Sequence, residues 1–350
     1  MKSFGVLAMA LVLLTMARSV RAAGSACSPA ASNALSASAA AMNRGNWDAA
    51  ESALGRVTDG ASDCPPILLA RARIAAAHDR TEEATNLFRA YIQQAPEDPE
   101  GYAYFARLMI DGEEYPKADE MSAIALQKSA NNAAALAVRG QLLAVKGDKL
   151  GALNLVARAC ELSPDDEEAQ FQLGTVYDHL KRPGDAVNHF AKATELNRED
   201  ARAWDYLALD LEPLGKIAEA EKAFATALEV NREGPYNDAF LDYNYGRFLM
   251  KKGDLAASKT HLDRAVQLVP DMRATWYERA RLDILLKDFK AARQDAEKAA
   301  SINDPDGLII DLQLYTMLEQ IYRRLGETEL AVKYAELART TPPPVRGERR

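Results

Sequence analysis

Apolar residues recur at spacings of three and four along most of the chain, the period of one inward stripe on an α-helix. The stripes are short, and their punctuation is regular. A glycine or polar residue opens a six-residue signature that ends on alanine: GNWDAA from Gly45, DRTEEA from Asp79, EEYPKA from Glu113, GDKLGA from Gly147, KRPGDA from Lys181 and GKIAEA from Gly215, at steps of 34 residues. GDLAAS from Gly253 arrives four residues late, KDFKAA from Lys287 keeps the step of 34, and GETELA from Gly326 is five late.

Other positions keep the same phase. Before each turn a large apolar residue precedes a small one, as in Phe105-Ala106, Leu173-Gly174, Leu207-Ala208 and Tyr245-Gly246. Beyond the turn come large residues such as Phe88, Phe190 and Phe224, then small ones such as Ala159, Ala193, Ala227, Ala265 and Ala299. The pattern predicts two short amphipathic helices per unit, joined by a tight turn, with small residues where the axes cross. Glycine or a polar residue ends the first helix, and Pro116 and Pro183 start second helices. One such hairpin cannot bury its own stripe, whereas stacked neighbours form a continuous core.

The pattern resembles the tetratricopeptide repeat family. The resemblance covers nearly all of residues 31–340, in about nine units starting near 31, 65, 99, 133, 167, 201, 239, 273 and 312. It implies an all-α fold, a right-handed α-solenoid of helix-turn-helix units. The first unit has small residues where an aromatic is usual, and the sixth places Pro213 at the end of its first helix. Extra residues around GPYND (234–238) and GLIID (307–311) read as lengthened loops between units.

The ends differ from this body. Residues 1–22, MKSFGVLAMALVLLTMARSVRA, read as a secretory signal peptide: a positive start, an apolar run and small residues before the expected cleavage. The run is short for a bilayer span, which makes a signal anchor the runner-up. No other stretch is long and apolar enough to cross a membrane. Residues 23–30 read as a linker, and 341–350, with three consecutive prolines, as a disordered tail. Export into a bacterial periplasm, or secretion, is the expected localisation.

Charge then narrows the partners. The formal net charge is −8, and residues 1–22 carry three of the cations (Lys2, Arg18, Arg21), so their loss leaves −11. An acidic chain is a poor match for nucleic acid. An oxidising compartment lets cysteines pair. Cys27 and Cys64 lie near the two ends of the first unit, where a bridge would staple the N-terminal end; spacing alone does not establish it. Cys160 sits in an apolar helical context and reads as a buried thiol. Lipidation of Cys27 is the rival reading, but the preceding AGSA lacks the large aliphatic residue such signals carry.

Catalytic chemistry is hard to find. The four histidines, His78, His179, His189 and His261, fall in no zinc-binding helix motif. There is no phosphate-cradling glycine loop, nucleophile elbow or dinucleotide fingerprint. No enzyme, no cofactor and no metal is expected. What remains is the groove that the resemblance implies along the first helices, at positions 2, 5, 6, 9, 12 and 13 of each unit. Those positions supply the candidate partner-binding residues Tyr104, Arg107, Phe171, Tyr206, Tyr243, Asn244, Arg247, Tyr277, Arg281 and Arg324. Arginine and tyrosine are the types enriched at binding hot spots. An acidic section (Glu168, Asp178, Asp205 and Glu212 against Arg202) is followed by a basic one (Arg247, Lys251, Arg281, Arg323 and Arg324 against Glu278). An extended, acidic protein or peptide segment is the expected ligand of the basic section. The family's known clamp for a C-terminal carboxylate uses a lysine, asparagine and arginine set that this chain does not reproduce.

The leading expectation is an exported scaffold for protein–protein interaction. The alternative is an accessory protein for polysaccharide export or carbohydrate binding, because groove tyrosines also stack on sugars. The last helix keeps Val332 and Ala335 beside charged residues, which points to self-association through the C-terminal unit.

Overall fold

The computed structural model describes residues 27–42, 45–57, 64–233, 239–304 and 309–341. The signal segment, the GPYND insertion, residues 305–308 and the tail from 342 lie outside the described residues. Among the described residues there are eighteen helices and no strand. Eight pairs of successive helices pack as hairpins, the first four being α1 Pro29–Met42 with α2 Trp47–Leu54, α3 Pro65–Ala77 with α4 Thr81–Gln94, α5 Pro99–Asp111 with α6 Tyr115–Lys128, and α7 Ala133–Val145 with α8 Lys149–Leu162. Then come α9 Glu167–His179 and α10 Pro183–Leu196, followed by the hairpins of α11 Ala201–Leu211 with α12 Ile217–Glu233, α13 Ala239–Lys252 with α14 Leu255–Leu268, α15 Arg273–Leu285 with α16 Phe289–Ser301, and α17 Asp311–Leu325 with α18 Thr328–Thr340. The chain divides into two compact units, residues 1–180 with 195–199, and 181–194 with 200–350.

The six-residue signature is the turn of each hairpin. Its first residue has a positive φ in all nine copies: Gly45, Gly147, Gly215, Gly253 and Gly326, and also Asp79, Glu113, Lys181 and Lys287. This left-handed residue lets the next backbone N–H reach back five residues and close the first helix. Arg80 N donates to Ala75 O at 2.9 Å, Asp254 N to Leu249 O at 2.9 Å and Asp288 N to Asp283 O at 2.9 Å. Where the donating residue is asparagine or aspartate, as at Asn46, Asp148, Asp254 and Asp288, its side chain then caps the second helix. Asp254 accepts from Ala257 N at 3.1 Å and Asp288 from Ala291 N at 3.0 Å. In those turns one residue ends one helix and caps the next, which keeps the turn short.

Four of the nine turns place a side chain where the backbone favours glycine. Lys287, at φ 62°, is one of them. A residue with a Cβ is strained there by roughly 1–2 kcal/mol, partly offset by the entropy glycine loses on folding. Lys287→Gly is expected to stabilise the protein by about 0.5–1 kcal/mol, read as a higher urea midpoint. An unchanged or lower midpoint would contradict this account of the turn.

The signature's closing residue is buried wherever it occurs, from Ala50 and Ala84 to Ser258 and Ala292. The small residue before the turn has a matching reason. A Cβ on Gly246 would lie 2.8 Å from Leu262 Cγ, and one on Gly140 only 2.4 Å from Val156 Cγ2. Tyr245 and Phe248 pack on Phe224, so the aromatic run of α13 is mostly core. At the N-terminal end Cys27 and Cys64 are joined in a disulfide that ties the start of α1 to the start of α3. Cys160 is buried, and burial pushes its thiol up to about 12.

The hairpin of α15 and α16 also buries charge. Arg279 donates to Asp295 and Asp263 and stands over the Trp276 ring at 4.5 Å. Asp283, with its side chain 4% exposed, lies 3.9 Å from Lys259 Nζ. Burial raises its carboxyl to about 6, against the pull of Lys259. A folded-state value above the unfolded one means the folded protein holds the extra proton, so stability falls as pH climbs from about 4 to about 6 and stays reduced above that. Asp283→Asn removes this penalty. The substitution is expected to stabilise by about 1–2 kcal/mol at pH 8 and by little at pH 4, measured as unfolding midpoints at the two pH values.

Candidate functional site

In the second unit the first helices α13, α15 and α17 present the sequence-selected residues. Tyr243 and Arg247 sit one turn apart on α13 and share a face. The Arg247 guanidinium carbon stands 5.3 Å from the Tyr243 ring centre. On α15, Tyr277 is half-buried and Arg281 exposed, and Arg281 Nη1 donates to Glu278 Oε2 at 2.7 Å. Glu278 is only 3% exposed. Its other oxygen lies 3.6 Å from Arg247 Nε, an ion pair too long for a hydrogen bond. Gln313 of α17 and Ile309 just before that helix complete a cleft of about 480 Å³. A second hollow of about 270 Å³ shares Tyr277, Arg281 and Gln313 and adds the apolar Ile284, Leu285 and Met317.

The electrostatics of the cleft follow from three groups. Two guanidinium charges less one carboxylate leave a single positive charge. Arg247 Nε is buried and has no hydrogen-bond partner. A buried guanidinium N–H without an acceptor is costly, and Arg247 is one of the residues that line the cleft. The Tyr243 hydroxyl is pushed up to about 12, chiefly by burial, so it stays protonated at neutral pH. Burial also raises Tyr277. The cleft thus offers fixed donors, one net positive charge and an apolar annex.

The other selected residues fare differently. Asn244 Nδ2 donates to the buried Asp205 at 2.8 Å and ties α13 to α11, so it is engaged within the fold. Tyr206 packs at a tilt against the fully buried Phe190 with ring centres 5.4 Å apart. Arg324 is exposed on α17 and away from the cleft walls. In the first unit, the Arg73 guanidinium carbon lies 4.2 Å above the ring of half-buried Tyr104. Arg107 is half-buried; burial opposes its charge, but Glu168 and Asp166 outweigh that and hold its pKa above the usual value. Phe171 is buried. Phe171 is thus within the packing, whereas Tyr206 is half-buried beside Phe190. Groove and seam positions are adjacent on a helix, and residue type does not separate them.

The basic section is also smaller than the sequence suggests. Lys251 is paired with Glu212 at 2.6 Å and Arg323 with Glu319. Glu278 was expected in the groove opposite the basic residues, whereas Gln313 and Ile309 were not among the candidates. Among the described residues, one trio brings metal-ligating atoms within 4.8 Å of one another: Asp48 and Glu51 of α2, and His78 at the end of α3.

An all-α stack of helical hairpins with left-handed two-residue turns and a donor-lined cleft on the first helices defines a helical-repeat solenoid. The chain belongs to the tetratricopeptide repeat family, whose model matches residues 35–99, 171–238 and 243–307, together more than half of the 350 residues. Comparison with curated proteins yields no match. Among solved structures the fold is similar to the APC/C hetero-tetramer Cut9-Hcn1, at 13% identity and TM-score 0.66, with 82% of this chain and 55% of that chain covered. It is also similar to PilW, a type IV pilus biogenesis factor, at 20% identity and TM-score 0.54, covering 59% of this chain and 93% of that one. A third is YrrB, described as a tetratricopeptide repeat protein with an unusual peptide-binding site, at 26% identity and TM-score 0.42, covering 55% and 97%.

Proposed function

We propose that the protein is a non-catalytic interaction scaffold, exported to the cell envelope, that holds an extended protein segment against its first helices. An acidic side chain or terminal carboxylate of that segment enters the cleft between Arg247 and Arg281. The observation that carries this reading is the buried, unpartnered Nε–H of Arg247 in a cleft with one net positive charge. A carboxylate supplies both the missing acceptor and the missing charge. The export reading rests on the apolar N-terminal run and on the Cys27–Cys64 bridge, since such bridges persist in oxidising compartments. No helix among the described residues is long and apolar enough to cross a membrane.

The carbohydrate alternative draws less support. A sugar needs an open aromatic face, and Tyr243 is buried with the Arg247 guanidinium over its ring. Exposed Leu330 and Val332 on α18 fit self-association through the last hairpin.

The test is a calorimetric titration with an acidic peptide and its amidated, glutamine-substituted counterpart. The acidic peptide is expected to bind more tightly and to lose affinity as ionic strength rises, because the charge-assisted part is screened. Equal affinity for both peptides, or affinity indifferent to salt, would sink the carboxylate reading. Binding of an oligosaccharide that survives high salt would favour the alternative.

A further inference from the structure

His78, Asp48 and Glu51 lie outside the cleft and on different helices, and the interaction function uses none of them. Asp48 and Glu51 are three residues apart on α2, so both carboxylates face the same side of that helix. His78 follows α3 as its cap, and its imidazole reaches back to them. His78 Nε2 lies 3.5 Å from Asp48 Oδ1 and 3.5 Å from Glu51 Oε2. That nitrogen is buried and makes no hydrogen bond.

These distances carry the argument. A ring N–H donating to a carboxylate settles at about 2.7–3.2 Å, and neither contact reaches that range. A bare nitrogen lone pair aimed at two carboxylate oxygens is repulsive. The arrangement calls for a positive charge between the three atoms. Two donors 3.5 Å apart, each about 2.1 Å from a common ion, subtend roughly 110° at it, the angle of a tetrahedral zinc site. The surroundings agree. Glu51 Oε1 is held by Arg80 Nη2 at 2.7 Å, and Arg80 is in turn 3.3 Å from Glu83. That contact orients Glu51 and leaves Oε2 free to ligate, as outer partners do in metal sites. Two carboxylates with one neutral imidazole balance a dication. The imidazole favours zinc-like ions over calcium or magnesium, which take oxygen alone.

We propose that Asp48, Glu51 and His78 form a binding site for a zinc-like divalent transition-metal ion, clasping the first hairpin to the second. The disulfide joins the same two hairpins at their starts, and the ion would join them at the turn end. Among the described helices the first hairpin packs on the second alone, so an added link matters most there.

The experiment is a titration of the untagged protein with Zn²⁺ at pH 7.4, by competition with a chromophoric chelator, alongside thermal unfolding with and without the ion. One ion per chain is expected, with a dissociation constant of about 1 µM or tighter and a raised unfolding temperature. His78→Gln is expected to weaken binding at least about tenfold. Asp48→Asn serves as the second variant. Its side chain is 92% exposed, so the fold does not depend on it, and it is expected to weaken binding as well. A triple variant with His179, His189 and His261 replaced by glutamine should bind as the parent does. The site is overturned if no one-to-one saturation occurs below about 100 µM, or if both His78→Gln and Asp48→Asn bind as the parent does. Either outcome would leave the trio a proton-bridged ion pair only.

Discussion

Phe224→Ala is expected to lower the unfolding free energy by about 3–5 kcal/mol, the range for truncating a buried aromatic to a methyl group. Phe224 on α12 has no exposed surface, and its ring centre lies 5.2 Å from both Tyr245 and Phe248 of α13. It therefore plugs the junction between the α11–α12 and α13–α14 hairpins. In a stack where each hairpin touches only its neighbours, stability is a sum of hairpin terms and junction terms. Emptying one junction leaves the hairpins on either side intact. The expected result in a urea titration followed by circular dichroism is a midpoint well below the parent's, together with a broadened or split transition. Phe224→Leu, which retains most of the volume, should cost less than about 2 kcal/mol and keep one transition. A small, uniform shift for the alanine variant would mean that the junction repacks and that the aromatic cluster is not the link.

The fold was legible because its information is periodic. The nine residues with positive φ are the residues that open the six-residue signature, although four of them are not glycine. Phase, rather than residue type, identified Asp79, Glu113, Lys181 and Lys287 as turns. The alanine that closes the signature is buried for the same reason: it lies where two helix axes cross. The site was only partly legible, because charge pairing across helices is not periodic. Arg247 and Arg281 stood out by type and register, but nothing in the spacing says that Glu278 is buried between them. Lys251 looked like part of a basic surface until Glu212, thirty-nine residues earlier, was found beside it. Tyr206 and Tyr243 hold neighbouring registers, yet one lies tilted against Phe190 and the other walls a cleft. His78 and Asp48 lie on separate hairpins, and no local motif joins them.

Exchanging Arg247 and Arg281 for glutamate should abolish binding of an acidic segment, but Glu278 makes that variant a poor test. Three carboxylates would then share a site in which Glu278 is 3% exposed, and an uncompensated buried charge destabilises strongly. Binding would be lost together with the packing of α13 on α15. Two single variants of opposite sign separate the effects. Arg281→Gln removes one guanidinium from a side chain that is 46% exposed and leaves Arg247 to balance Glu278. The cleft becomes neutral, and affinity for an acidic peptide is expected to fall about tenfold or more, the equivalent of one charge-assisted hydrogen bond. Glu278→Gln keeps the shape of the side chain and raises the cleft from one positive charge to two. Affinity for the same peptide is expected to rise several-fold, while thermal stability falls because two arginines lose their buried partner. Loosened packing can weaken binding in both variants, but it cannot strengthen it in one of them. Opposite changes in a calorimetric titration would therefore assign recognition to the charge of the cleft, and a loss in both would assign it to shape.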